Sequence, residues 1–310
     1  LKFVYSEKYI VDFGIHVFPT EKYVLIKDRL LNEDIAEEKD FIEPSMPREQ
    51  DLLVLLDKEY MNDLKNLRWT SRTMFSELPL TREIVDMYML AAEGTFISSS
   101  VALEEKVVYH IGGGFHHAFK DKAEGFCYIN DIAYAILRLK KENRIRRAVV
   151  IDCDLHQGNG TARIFRDDSD VFTFSIHQQN LYPVKEKSDL DIGLPDFADD
   201  ELYLEKLDYA LSVIENNMPF DLCVYQAGAD PYKDDKLGNL MLSKEGLLER
   251  DSKVAEFCKK NSVPVSITLG GGYSRELDDL VDIHFNTAKI FYKTFRRKDE
   301  NSYIKERNSI

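Results

Sequence analysis

Residues 151–160 read IDCDLHQGNG. A run that is apolar from Ala148 to Ile151 stops abruptly in Asp152, Asp154 and His156, and Gly158 and Gly160 then let the backbone turn tightly. Unpaired carboxylates are costly to bury, so this stretch is either a solvated turn or half of a metal site. Three other apolar runs also end in residues that do chemistry. GGGFHHAF follows 107–111 and carries His116 beside His117; AGAD follows 222–226 and ends in Asp230; GGGY follows 265–269 and ends in Tyr273. Singly, each has a plain alternative: a helix cap at Asp230, a hydrogen-bonded core histidine, a tight turn with a packed tyrosine. Together they suit amide hydrolysis. Asp154, His156 and Asp230 form the carboxylate–imidazole–carboxylate set of a catalytic Zn²⁺ with an open position, whereas Ca²⁺ would want more acids and a structural zinc thiolates. Such an ion acidifies water and polarises a carbonyl. Two histidines can move the proton, and a tyrosine hydroxyl can donate to the developing oxyanion.

The elements that must position these residues alternate. Apolar runs at 107–111, 148–152, 171–176, 222–226 and 265–269 mostly lack the polar–apolar alternation of half-exposed strands, as expected for a parallel sheet covered on both faces. Helical spacing lies between them: Ile132, Ala135, Ile136 and Leu139 share one face, as do Leu207, Ala210, Leu211 and Ile214. Earlier, TEKYVLIKDRLL and TREIVDMYMLAAEGTF read as helices with Thr20 and Thr81 as N-caps. The pattern predicts one α/β domain over 1–296 with a mainly parallel central sheet, and a polar tail over 297–310. In such sheets ligand sites form beyond the carboxyl ends of the strands, which is where all the candidate residues fall.

Composition narrows the function. The 310 residues are 44% hydrophobic and 31% charged, enough for a sizeable core. A net charge of −14 argues against nucleic acid as a partner and suits cationic ligands such as lysine side chains or polyamines. No apolar run is long enough to span a bilayer, and LKFVYSEKYIVDFG is too charged and too briefly apolar for a signal peptide; with Leu1 in place of Met, a short leader is expected to be missing. Cys127, Cys153, Cys223 and Cys258 show no C-x-x-C pairing, which fits reduced thiols in a cytoplasmic protein.

GGGFHHAF, EGFCYIND, IDCDLHQGNG, YQAGAD and LGGGY, in that order, resemble the motif set of the histone deacetylase superfamily, which includes bacterial acetoin-utilisation-type deacetylases. The likeness runs from HVFPTEKYVLIKDRL to beyond GGGY, and HQGNG and NLYP are most similar to the class IV branch. The resemblance implies an arginase/deacetylase α/β/α sandwich with one divalent metal, Zn²⁺ or Fe²⁺, at the base of a narrow tunnel. By motif match Asp154, His156 and Asp230 hold that metal, His117 is the general base and acid, His116 assists electrostatically, and Tyr273 binds the acyl oxygen. Gly125, Phe126, Tyr182 and Gly271 line the acyl-lysine tunnel. A structural K⁺ is implied at Asp152, Asp154, His156, Ser175 and Ile176, with Asp152 also facing His116.

One position departs from class I. Asn159 stands where those members carry an acid, and an amide brings no negative charge, so His117 is expected to be a somewhat weaker base. The expected activity is hydrolysis of an acylated lysine on a protein or peptide, or of an acetylated polyamine; oligomeric state is unassigned. An arginase-like binuclear ureohydrolase would need further Asp and His ligands. A silent acyl-lysine binder would be expected to have lost a ligand, a histidine or Tyr273. The segment 185–201, KEKSDLDIGLPDFADDE, reads as a solvated acidic loop.

Overall fold

The computed structural model describes residues 1–296; the polar tail expected over 297–310 lies outside the described residues. Eight strands form one sheet: β1 (Lys2–Val4), β2 (Phe41–Ile42), β3 (Val107–His110), β4 (Ala148–Asp152), β5 (Val171–Gln178), β6 (Leu190–Leu194), β7 (Leu222–Gln226) and β8 (Val265–Thr268). Their order is β2-β1-β3-β8-β7-β4-β5-β6, and every pair is parallel. The central strands β3, β4, β7 and β8 are buried at every position, which is why their sequences show no alternation.

The helices are α1 (Lys22–Asn32), α2 (Glu49–Leu52), α3 (Lys58–Lys65), α4 (Arg82–Glu105), α5 (Asp131–Lys141), α6 (Asn159–Phe165), α7 (Asp200–Glu215), α8 (Lys244–Lys260) and α9 (Leu277–Phe295). Two layers cover the sheet: α4 packs on α5 and α5 on α6, while α7, α8, α9 and α1 form a second contiguous set. The predicted faces hold. Ile132, Ala135, Ile136 and Leu139 of α5, and Leu207, Ala210, Leu211 and Ile214 of α7, are all buried. This is the α/β/α sandwich that the sequence implied.

Two expectations need correction. Thr81 caps α4 through Ile84 N–H at 3.3 Å, but Thr20 caps nothing: its hydroxyl donates to Val11 O at 2.9 Å, and α1 starts after Glu21 with no side-chain cap. Segment 185–201 is not all loop, because Leu190–Leu194 pairs with β5 as the edge strand β6. Its exposed outer positions carry Asp191 and Gly193, and this polar edge hid it. The alternative reading of Asp230 as a helix cap does not hold, since the next helix, α8, begins at Lys244 behind its own cap Ser243.

Candidate active site

Strands β3, β8, β7 and β4 are neighbours, so the loops leaving their carboxyl ends converge although they are far apart in sequence. The loop after β4 carries Asp154 and His156, the loop after β7 carries Asp230, and all three are buried. Asp154 Oδ2 accepts from Gln226 Nε2 at 2.7 Å and from Gly271 N–H at 2.9 Å; Asp230 Oδ1 accepts from Leu155 N–H at 2.9 Å. These bonds turn the remaining oxygens inward. Asp154 Oδ1 and Asp230 Oδ2 each lie 3.3 Å from His156 Nδ1, and one ligand atom from each residue falls within 4.8 Å of the others. A Cβ on residue 271 would stand 2.2 Å from Asp230 Oδ2, so only glycine brings this N–H to Asp154.

The electrostatics of the cluster fit a cation. Burial, then the charge of Asp154, pushes the Asp230 carboxyl up to about 7. Burial pulls the His156 imidazole down, but hydrogen bonds to Asp154 and Asp230 outweigh it and hold it up at about 10. Both shifts mark a place where positive charge is stabilised. Two carboxylate oxygens and one imidazole nitrogen are the donor chemistry of a divalent catalytic ion. Among the described residues this is the one such group of metal-ligating side chains.

The two histidines sit beside it on the loop after β3. His116 Nδ1 lies 2.7 Å from Asp152 Oδ2, its Nε2 lies 3.1 Å from His117 Nε2, and His117 Nδ1 lies 2.8 Å from Asn159 Oδ1. Burial lowers His116, but the charges of Asp152 and Asp154 exceed that and raise it to about 9. Burial, then the charges of His116 and His156, hold His117 well below its ordinary value. The two rings thus differ in their partners: His116 faces a carboxylate and His117 an amide.

That loop is clamped from α5. Asn130 caps the helix through Ala133 N–H at 2.9 Å, and its Nδ2 donates to His116 O and Ala118 O, both at 3.2 Å. The Asp131 carboxylate accepts from Gly114 N–H at 2.9 Å and Phe115 N–H at 2.7 Å. Gly114 itself has φ +87°, and a Cβ there would meet Gly270 N at 2.5 Å, so the loops after β3 and β8 touch backbone to backbone.

Tyr273 enters from β8. Its N–H donates to Asp235 Oδ2 at 2.7 Å, and its ring packs edge-on against Phe18 and Phe126, with centroids 6.0 and 5.8 Å away. Burial, then the charge of Asp230, keeps the phenol well above its usual value, a neutral donor. A cavity of about 250 Å³ is walled by Phe18, Gly125, Phe126, Leu181, Tyr182 and Leu237, and it reaches His116, His117, Asp154, His156, Gly271 and Tyr273. Asp230 lies behind this lining. Tyr182, 42% exposed, marks the mouth. Ser175 and Ile176 are buried on β5; Ser175 pairs in register with Asp152, and its hydroxyl meets His177 Nδ1 at 3.0 Å.

Sequence reasoning passed over Gln226, Asp235 and the Asn130–Asp131 pair. Gln226 had a readable signal, a polar residue closing an apolar strand as Asp152 does. Asn130 and Asp131 stood in EGFCYIND without a role, and Asp235 had no local pattern at all.

Residues 16–288 match the sequence profile of the histone deacetylase domain. An uncharacterized protein of Picosynechococcus sp. is 34% identical over 87% of this chain and 90% of its own length. Histone deacetylase 2 of Arabidopsis thaliana is 31% identical, covering 88% of this chain and 74% of that protein. The crystal structure of a histone deacetylase homolog complexed with SAHA aligns with a TM-score of 0.81 at 25% identity, over 94% of this chain and 84% of that one. With a matched profile over most of its length, and a sheet whose adjacent strand ends gather the motifs, the chain belongs to the histone deacetylase family.

Proposed function

We propose that this protein is a Zn²⁺-dependent lysine deacylase that hydrolyses the side-chain amide of an acylated lysine on a protein or peptide. The observation that carries the reading is the meeting of Asp154, His156 and Asp230 within 4.8 Å beside the paired imidazoles of His116 and His117 and the buried phenol of Tyr273. Held by Asp154, His156 and Asp230, the divalent ion supplies a Lewis acid for the acyl oxygen and acidifies water.

The chain's own residues do the rest. Gly125, Phe126, Tyr182 and Gly271 line the cavity and would flank the aliphatic part of a bound acyl-lysine. Neutral His117 takes a proton at Nε2 from the attacking water as its oxygen bonds to the acyl carbon. His116, kept cationic by Asp152, opposes the negative charge that builds up, and the Tyr273 hydroxyl donates to the oxyanion. When the C–N bond breaks, His117 returns its proton to the amine, leaving a free lysine and a carboxylate. Asn159 orients His117. A structural K⁺ at Asp152, Asp154, His156, Ser175 and Ile176 would steady the strand ends on which the site rests, and Fe²⁺ has the same donor chemistry available as Zn²⁺.

The test is metal content together with turnover. One ion per chain and chelator-sensitive release of acid from acyl-lysine peptides support the reading. Two ions with ureohydrolase activity, or binding without turnover, would overturn it. A panel of acetyl-lysine, long-chain acyl-lysine and acetyl-polyamine substrates assigns the acyl group and the amine.

A further inference from the structure

Asn159 carries no charge, and the sequence alone makes it a weak partner for His117. The structure places a carboxylate directly behind it. Asn159 Nδ2 donates to Glu124 Oε1 at 2.8 Å, while Asn159 Oδ1 faces His117 Nδ1 at 2.8 Å. An ionised carboxylate only accepts hydrogen bonds, so Glu124 obliges the amide to present its NH₂ outward and its oxygen to the histidine. An amide oxygen also only accepts, so the proton of neutral His117 must sit on Nδ1. That leaves Nε2 as a lone pair.

The other end of the chain agrees. His116 Nδ1 faces the Asp152 carboxylate at 2.7 Å, so this ring too carries a proton on Nδ1 towards an oxygen acceptor. The run Asp152, His116, His117, Asn159, Glu124 thus has one consistent set of donors, with a carboxylate at each end. Glu124 is anchored by its own contacts. Its N–H donates to Cys127 O at 3.1 Å, Lys122 Nζ bonds its second oxygen, and the Tyr182 phenol lies within its reach.

We propose that Glu124 is a positioning residue for the hydrolysis: acting through Asn159, it fixes the amide orientation, locks His117 in the tautomer whose Nε2 can accept a proton, and returns negative charge to an axis that has lost its acid. This rests on reading His117 as the base. A wrongly placed proton disables a histidine base even when its position is unchanged.

The test compares the zinc-loaded wild type with Glu124→Gln and with the double variant Glu124→Gln/Asn159→Asp, using ¹⁵N-histidine spectra and steady-state kinetics. Wild type is expected to show His117 protonated at Nδ1. In Glu124→Gln the new amide donates to Asn159, which turns over; the His117 proton moves to Nε2, and kcat falls by about 10²-fold or more with KM little changed. In the double variant an aspartate accepts from Nδ1–H without help, so the tautomer and most of kcat return. A role confined to stability, or to the Tyr182 contact, would give no such rescue. An Nε2-protonated His117 in wild type, an unchanged tautomer in Glu124→Gln, or a folded double variant that stays inactive would each overturn the proposal. Failure of the deacylase reading looks different: wild type keeps the Nδ1–H signal but hydrolyses no acyl-lysine.

Discussion

The Asp235 carboxylate accepts a 2.7 Å hydrogen bond from the backbone N–H of Tyr273, fixing the phenol from its main chain and leaving the hydroxyl free. The two functions of this residue can therefore be separated. Tyr273→Phe keeps the bond to Asp235 and the packing on Phe18 and Phe126, so fold and metal content should match wild type while kcat falls by about 10²–10³-fold. Unchanged turnover would remove the hydroxyl from the mechanism. Asp235→Ala leaves the Tyr273 and Leu237 N–H groups without their acceptor, and urea melts should show a loss of about 1–3 kcal/mol per orphaned donor.

The histidines differ in kind, and their variants should differ in degree. His117→Ala removes the neutral base and should abolish turnover. His116→Ala removes a charge held by Asp152 and should leave measurable activity. Equal, mild losses in single-turnover assays would contradict the assignment.

Metal retention should follow the hydrogen bonds as well as the ligands. Asp230→Ala is expected to lose the ion on dialysis. Gln226→Leu, which frees Asp154 Oδ2 from its 2.7 Å bond, should weaken binding by about 10–100-fold without removing a ligand. Competition with a chromogenic chelator measures both.

Two buried histidines should each make a stability contribution that is lost in mild acid. His110 is fully buried between the Tyr9 hydroxyl at 2.8 Å and Thr95 Oγ1 at 2.9 Å, and burial lowers it from 6.5 to about 3. His284, also buried, is held well below 6.5 by burial and then by the charge of Lys22. Between about pH 6.5 and 3 the unfolded chain takes up a proton at His110 that the folded chain refuses, so the His110 contribution to stability is intact above 6.5 and lost as pH falls through that window. Each such histidine contributes a slope of up to about 1.4 kcal/mol per pH unit. In urea melts the stability of wild type relative to His110→Gln should fall between pH 7.5 and 5.5; an unaltered difference would refute the assignment.

What the sequence made legible was whatever repeats locally. Fully buried strands are continuous apolar runs, and helix faces recur every three or four residues, so β3, β4, β5, β7, β8, α5 and α7 could be read directly. The proposed ligand set was legible for a related reason, since each member lies just after such a run. The rest depends on partners distant in the chain. Strand β1 has three residues and β2 two, too short for any period, and they exist because β3 is there to pair with. Thr20 looked like a cap but found a nearer acceptor in Val11 O. Asp235 and Glu124 resemble surface acids until β8 and α6 bring Tyr273 and Asn159 to them.

The spatial order β3-β8-β7-β4 differs from the order of synthesis in a way that bears on biogenesis. When β3 and β4 have left the ribosome, the positions between them are empty, and they are filled only by the two strands made last. The sheet can therefore be continuous only after β7 and β8 have taken their places. Asp230 follows β7 and Tyr273 follows β8, so the candidate site is complete only when both of these strands are seated between β3 and β4.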